Sequence, residues 1–222
     1  PVMVYIYGGG LTRGGSSSTI YGGQSFAKNG VLMVSFNYRI GRFGFFGFPA
    51  LSAEHPEEPK ANYGYMDQIA ALKWVQRNIA SFGGDPANVT IVGESAGGSS
   101  VHAMLVSPLA RGLFHKAIIQ SAGASGRNRS NGQRLLDKDL PNAASFETIG
   151  TNYAKSKGID GVNAAALAKL RALSAEDVVD LPFAGTEGGS PISATWGGAG
   201  IDGKVIVENP ADTYRAGRQA KV

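Results

Sequence analysis

Apolar and polar positions fall into two textures along the chain. In the first half, short apolar runs alternate with stretches of helical periodicity. Residues 2–7, Val-Met-Val-Tyr-Ile-Tyr, are β-branched and aromatic and end at Gly8-Gly9-Gly10, which predicts a buried strand. Residues 31–37 predict a second buried strand, 89–92 a third and 117–120 a fourth. Residues 24–28 predict a short helix closed by Asn29-Gly30. Met66, Ile69, Leu72, Val75 and Ile79 recur at helical spacing. They predict a helix capped by Asn62 that runs to about residue 81 and is stopped by Gly83-Gly84-Asp85-Pro86. Another helix is predicted over 96–106. Gly/Ser-rich residues up to 23, Gly/Phe-rich residues 41–49 and polar residues 54–60 read as loops. Strands alternating with helices predict an α/β fold with a mostly parallel sheet.

Past Arg127 the pattern becomes helical and irregular. Helices are predicted over 143–157 and 162–173, with a short one capped by Ser174 and another over 209–216; residues 181–204 are Gly-rich and irregular. We read one domain with two regions: a sheet core over 1–124, and a helical and irregular insertion after the fourth strand over 125–222. Pro1 opens directly onto a strand, and the last residues leave a helix for something new. Both features predict a segment of a longer protein.

Composition narrows the classes. Of 222 residues, 43% are hydrophobic and 17% charged, which describes a globular chain. The net charge of +4 is scattered. Its densest cluster, Arg127, Arg129 and Arg134, reads as solvated surface, so no nucleic-acid partner is expected. No apolar run is long enough to span a membrane. With no cysteine, these residues carry neither a disulfide nor a thiol nucleophile, and the compartment stays open.

The candidate chemistry begins at Gly93-Glu94-Ser95-Ala96-Gly97. In a chain with 32 glycines a G-x-S-x-G pattern is weak by itself. Its position between a predicted strand and a predicted helix makes it a nucleophile elbow, a sharp turn that lifts the Ser95 hydroxyl above the sheet. Side chains two residues either side would collide with the crossing chain, hence Gly93 and Gly97. The helix that starts at Ala96 directs N–H groups and a positive dipole end at the same point. Gly8-Gly9-Gly10 follows the first strand, where glycines let backbone N–H groups approach a substrate oxygen. Gly9, Gly10 and Ala96 are therefore the candidate oxyanion donors. No histidine completes a triad. His102 lies seven residues beyond Ser95 on the same helix, about 10 Å along its axis at ~1.5 Å per residue. His55 and His115 read as surface or packing residues.

Several runs then resemble one family: Tyr5-Ile6-Tyr7-Gly8-Gly9-Gly10, Asn37-Tyr38-Arg39-Ile40-Gly41-Arg42-Phe43-Gly44-Phe45, Asp67-Gln68-Ile69-Ala70-Ala71-Leu72-Lys73-Trp74-Val75, the elbow, and Gly112-Leu113-Phe114 through Ile119-Gln120-Ser121. In this order the sequence resembles the type-B carboxylesterases and cholinesterases, densely to about residue 124 and thinly afterwards. The resemblance implies the α/β-hydrolase fold and carboxylic ester hydrolysis through an acyl-serine at Ser95, with Gly9, Gly10 and Ala96 as oxyanion hole. It places Glu94 beside the nucleophile, where it could equally be a buried structural carboxylate. It makes Ser121 a hydroxyl supporting the catalytic acid, or a strand-end cap. It implies a small-molecule ester substrate and no metal or cofactor. Asp202-Gly203 resembles the stretch shortly before the family's catalytic Glu, expected just beyond Val222, with the His later still. The N-terminal strands and the C-terminal third are then expected outside these residues, and the segment alone is expected to be inactive. One departure is Tyr7, where most bacterial relatives carry His. A lipase or amidase of the same fold, or a non-catalytic cholinesterase-like binding or adhesion domain, stays open as an alternative.

Overall fold

The computed structural model describes residues 1–122, 134–141, 143–179 and 192–222. In chain order the elements are β1 (Val2–Ile6), α1 (Gln24–Lys28), β2 (Leu32–Ser35), α2 (Gly41–Gly44), α3 (Pro49–Glu54), α4 (Tyr63–Asn78), β3 (Val89–Glu94), α5 (Ala96–Val106), β4 (Lys116–Gln120), α6 (Phe146–Ser156), α7 (Ala164–Arg171), α8 (Ala175–Val178), α9 (Ile192–Thr195) and α10 (Pro210–Arg215). They form two compact units. One comprises Pro1–Tyr38, Tyr65–Ser125 and Pro210–Val222, the other Arg39–Gly64 and Gly126–Asn209.

The first unit is built on a four-stranded sheet of order β2-β1-β3-β4, parallel throughout. This is the sheet that strand–helix alternation predicts. Central strands β1 and β3 bury Val2, Val4, Ile6, Val89 and Ile91 completely or nearly so. Each such side chain contributes about 1.5–3 kcal/mol of transfer free energy. The predicted second buried strand is only half-buried, because β2 lies at an edge of this sheet. At the other edge, on β4, Ile118 remains 41% exposed. Helix α4 turns Ile69, Leu72 and Val75 inward as its periodicity predicts, and α5 buries Val101 and Met104. Buried Gln68 on α4 donates to the Ser100 hydroxyl of α5 (3.0 Å), which donates to the Ala96 carbonyl (3.0 Å). That polar chain fixes the first turn of α5.

The second unit gathers Phe48, Tyr153, Ala154, Ile159, Ala166, Leu167 and Leu170 into one apolar cluster. Arg42 lies over the Tyr153 ring at 4.1 Å and donates to the Thr195 and Val178 carbonyls. Three expectations change here. Asn62 does not cap α4. Its amide is buried and paired both ways with the backbone of Gly200, donating at 2.8 Å and accepting at 3.3 Å. Residues 41–49 are not a plain loop, since α2 forms one turn and Pro49 starts α3 at a position where its missing N–H costs nothing. Arg134 is not solvated surface. It is 6% exposed and donates to the carbonyls of Gly197 and Ala144, while burial pushes its pKa down. Arg127, Arg129 and residues 181–191 lie outside the described residues, and α9 is a short helix within the stretch expected to be irregular.

Candidate active site

Strand register brings three chain exits together. Ile6 pairs with Gly93, and Glu94 with Gln120. Gly8, Ser95 and Ser121 therefore leave the sheet at its carboxyl edge, where parallel sheets place their ligand sites.

Ser95 stands between β3 and α5 with φ 55° and ψ −120°. A non-glycine residue held there costs about 1–3 kcal/mol and persists only where its surroundings fix it. Here the Ser95 N–H donates to the Gln120 carbonyl of β4 at 3.0 Å. A Cβ on Gly97 would overlap the Ile6 carbonyl, and one on Gly93 would overlap the Gly97 carbonyl. Both glycines are thus demanded by the crossing chain, as the sequence spacing predicts. Ser95 is exposed, and among the described residues its hydroxyl has no hydrogen-bond partner.

The Gly8–Gly10 turn adjoins this elbow. A Cβ on Gly8 would lie 2.6 Å from the Glu94 carbonyl and 3.2 Å from the Ser95 Cβ. Gly9, at φ 104°, turns its carbonyl to accept from the N–H groups of Thr12 and Arg13, each at 3.2 Å, and from the Thr12 hydroxyl at 3.3 Å. Its conformation is one that a side chain would strain. Among the described residues no acceptor engages the N–H groups of Gly9, Gly10 or Ala96. The turn is anchored by a feature the sequence reading missed. The Tyr7 and Tyr38 rings stack at 4.4 Å, Tyr7 donating to the Tyr38 carbonyl (3.2 Å) and Tyr38 to the Tyr7 carbonyl (2.7 Å). Burial pushes both hydroxyl pKa values up, so both remain donors. A Tyr following each of two adjacent strands was the available signal.

Glu94 is exposed, not a buried carboxylate, and its Oε2 faces Gly8. Ser121 is exposed at φ 51°, a second strained serine beside the first. His102 is occupied: its Nδ1 meets the Tyr214 hydroxyl at 2.8 Å, and burial lowers its pKa. The His115 Nδ1 accepts from the Val89 N–H at 3.2 Å, at the far end of β3 from Ser95. Six residues at ~3.3 Å separate those ends by about 20 Å. Asp202, in the second unit, is buried and caps its own turn, accepting at Oδ1 from the N–H groups of Lys204, Val205 and Ile206. Among the described residues, His55, Glu57 and Glu58 could share an ion, but all three are exposed in the loop after α3. No helix of the described residues is long and apolar enough to cross a membrane.

Comparison with known proteins agrees with this geometry. The chain is 42% identical over 180 residues to the para-nitrobenzyl esterase of Bacillus subtilis (strain 168), covering 81% of this chain and 32% of that protein. It is 50% identical over 123 residues to a fumonisin B1 esterase of Sphingopyxis macrogoltabida, 55% of this chain and 23% of that protein. A solved structure of a PNB esterase superposes with a TM-score of 0.76 at 34% identity, over 98% of this chain and 43% of its own. The fold is therefore that of the α/β-hydrolases, and the chain spans about a third or less of the length of these curated relatives. The model of the carboxylesterase family matches residues 1–222, and with these identities it shows that the chain belongs to that family.

Proposed function

We propose that the protein carrying these residues hydrolyses carboxylic esters of small molecules through an acyl-Ser95 intermediate. The Ser95 backbone carries the reading: it is a strained elbow whose hydroxyl is exposed and without a partner among the described residues, beside the Gly8–Gly10 turn. In the first half-reaction the Ser95 Oγ attacks the ester carbonyl carbon as its proton passes to a base. The carbonyl oxygen takes the negative charge and accepts from the N–H groups of Gly9, Gly10 and Ala96. One such donor contributes about 3 kcal/mol to the transition state. The C–O bond breaks, the alcohol leaves with the proton, and water repeats the sequence to release the acid. His102 and His115 are engaged elsewhere and His55 is exposed just after α3, so in this reading the base is a histidine outside these 222 residues, oriented by an acid that Ser121 supports. Both units belong in this reading to one hydrolase domain.

A fluorophosphonate on the full-length protein is expected to modify Ser95 and abolish hydrolysis of a short p-nitrophenyl ester. Labelling at another residue, or hydrolysis that survives Ser95→Ala, would overturn the assignment. An acyl-chain-length series separates an esterase from a lipase.

A further inference from the structure

We infer that His102 and Tyr214 form a positioning pair that ties α5 to α10 and so steadies the Ser95 backbone at the head of α5; this rests on Ser95 being the nucleophile. The first turn of α5 sits against the end of β4. A Cβ on Gly98 would lie 2.7 Å from the Ala122 Cβ and 2.9 Å from the Gln120 carbonyl, the same carbonyl that accepts from the Ser95 N–H. His102 is four residues beyond Gly98, hence on the same face of the helix. Its Nδ1 meets the Tyr214 hydroxyl of α10 at 2.8 Å, the rings meeting edge to face. Burial keeps the imidazole neutral and pushes the Tyr214 hydroxyl up to about 12, so each group holds the protonation state the pair requires.

Tyr214 lies on α10, and the residues after it strap the same helix. The Ala220 N–H donates to the Leu105 carbonyl at 2.7 Å, and Arg111 donates to the Arg218 carbonyl at 2.9 Å. These two ties hold the strap when the Tyr214 hydroxyl is removed. Tyr214→Phe is therefore the variant that isolates the pair.

The test uses the full-length protein with a short p-nitrophenyl ester and a fluorophosphonate, active sites being titrated. His102→Leu is expected to lower kcat about tenfold with KM within about twofold, since small displacements of a reacting atom are costly. The rate of Ser95 phosphonylation falls by a similar factor. His102→Gln, which keeps an acceptor for the Tyr214 hydroxyl, recovers all but about threefold, and Tyr214→Phe loses about threefold. Wild-type kcat and labelling rates in both His102→Leu and Tyr214→Phe would refute the pair, even with a lowered melting temperature. Equal loss in His102→Leu and His102→Gln would refute the hydrogen bond to Tyr214 as the positioning element. Wild-type protein that fails to label at Ser95 overturns the parent reading and this inference with it.

Discussion

Three helices of the second unit begin differently from α5 of the first. In the second unit α6, α7 and α8 start after Ser145, Asn163 and Ser174, each with extended backbone. Each side chain accepts from the N–H three residues on, at Thr148, Ala166 and Asp177. In the first unit α5 starts after Ser95, also a serine at the N-cap, but with φ 55° and no side-chain cap. Ser145 and Ser174 share residue type and position with Ser95, and the sign of φ separates them. An extended N-cap serine folds its oxygen back onto the helix and stabilises it by about 1 kcal/mol. Ser95 forgoes that bond and adds strain, so its oxygen and the N–H groups of the first turn of α5 stay available to a substrate. The sheet register and Gly97 hold it there.

Exchanging serine for alanine at both kinds of cap breaks this comparison if it is wrong. Ser95→Ala in the full-length protein is expected to lower kcat by about 10⁴-fold or more, as loss of a nucleophile does, with little change in stability. Ser145→Ala is expected to leave kcat per active site unchanged and to lower stability by about 1 kcal/mol. Esterase assays with active-site titration and urea unfolding read both. A reversal, with Ser95→Ala destabilising and active, would mean that Ser95 is an ordinary cap.

The second unit also has a backbone contact without slack. A Cβ on Gly150 of α6 would overlap the Gly47 carbonyl. Gly150→Ala is expected to lower stability by about 3 kcal/mol, as overpacking does. Thermal unfolding near wild type would show that α6 shifts freely.

These contrasts also show what the sequence could reveal. The four strands were legible as short apolar runs, α4 from its helical spacing and α1 from the Asn29-Gly30 that closes it. Gly93 and Gly97 were legible because the elbow geometry demands them. Asn62 looked like a cap from its neighbours alone, but its partner is Gly200, 138 positions away. Arg134 looked like surface because charge is normally solvated, and only the folded chain supplies the distant Gly197 carbonyl. The strain at Ser121 and the pairing of Tyr7 with Tyr38 depend on strand register, which local pattern does not encode.

The tyrosine clasp offers a smaller test. Tyr38→Phe leaves the buried Tyr7 carbonyl without its donor, next to the Gly8 turn. It is expected to cost about 1–3 kcal/mol of stability, the penalty for an unsatisfied buried acceptor. If the clasp also orients the turn, kcat falls with KM unchanged. Stability equal to wild type would show that the turn stands without it.

Asp202 gives the smallest effect and sharpens the picture of the second unit, where the caps of α6, α7 and α8 are satisfied while this carboxylate is not. Its Oδ1 accepts three backbone N–H groups, but Oδ2 is buried without a partner among the described residues. Burial raises its pKa against the pull of those hydrogen bonds. The folded chain then holds the proton more tightly than the unfolded chain. Its contribution to stability is complete below the unfolded value, about 3.9, and is lost as pH rises through the folded value. Asp202→Asn keeps the Oδ1 acceptor and cannot ionise. Between pH 4 and pH 7 the urea midpoint of the wild type should therefore fall relative to that of Asp202→Asn. A wild-type midpoint that rises relative to the variant would mean that the three N–H groups outweigh burial and hold Asp202 as a stabilised carboxylate, a satisfied cap like its neighbours.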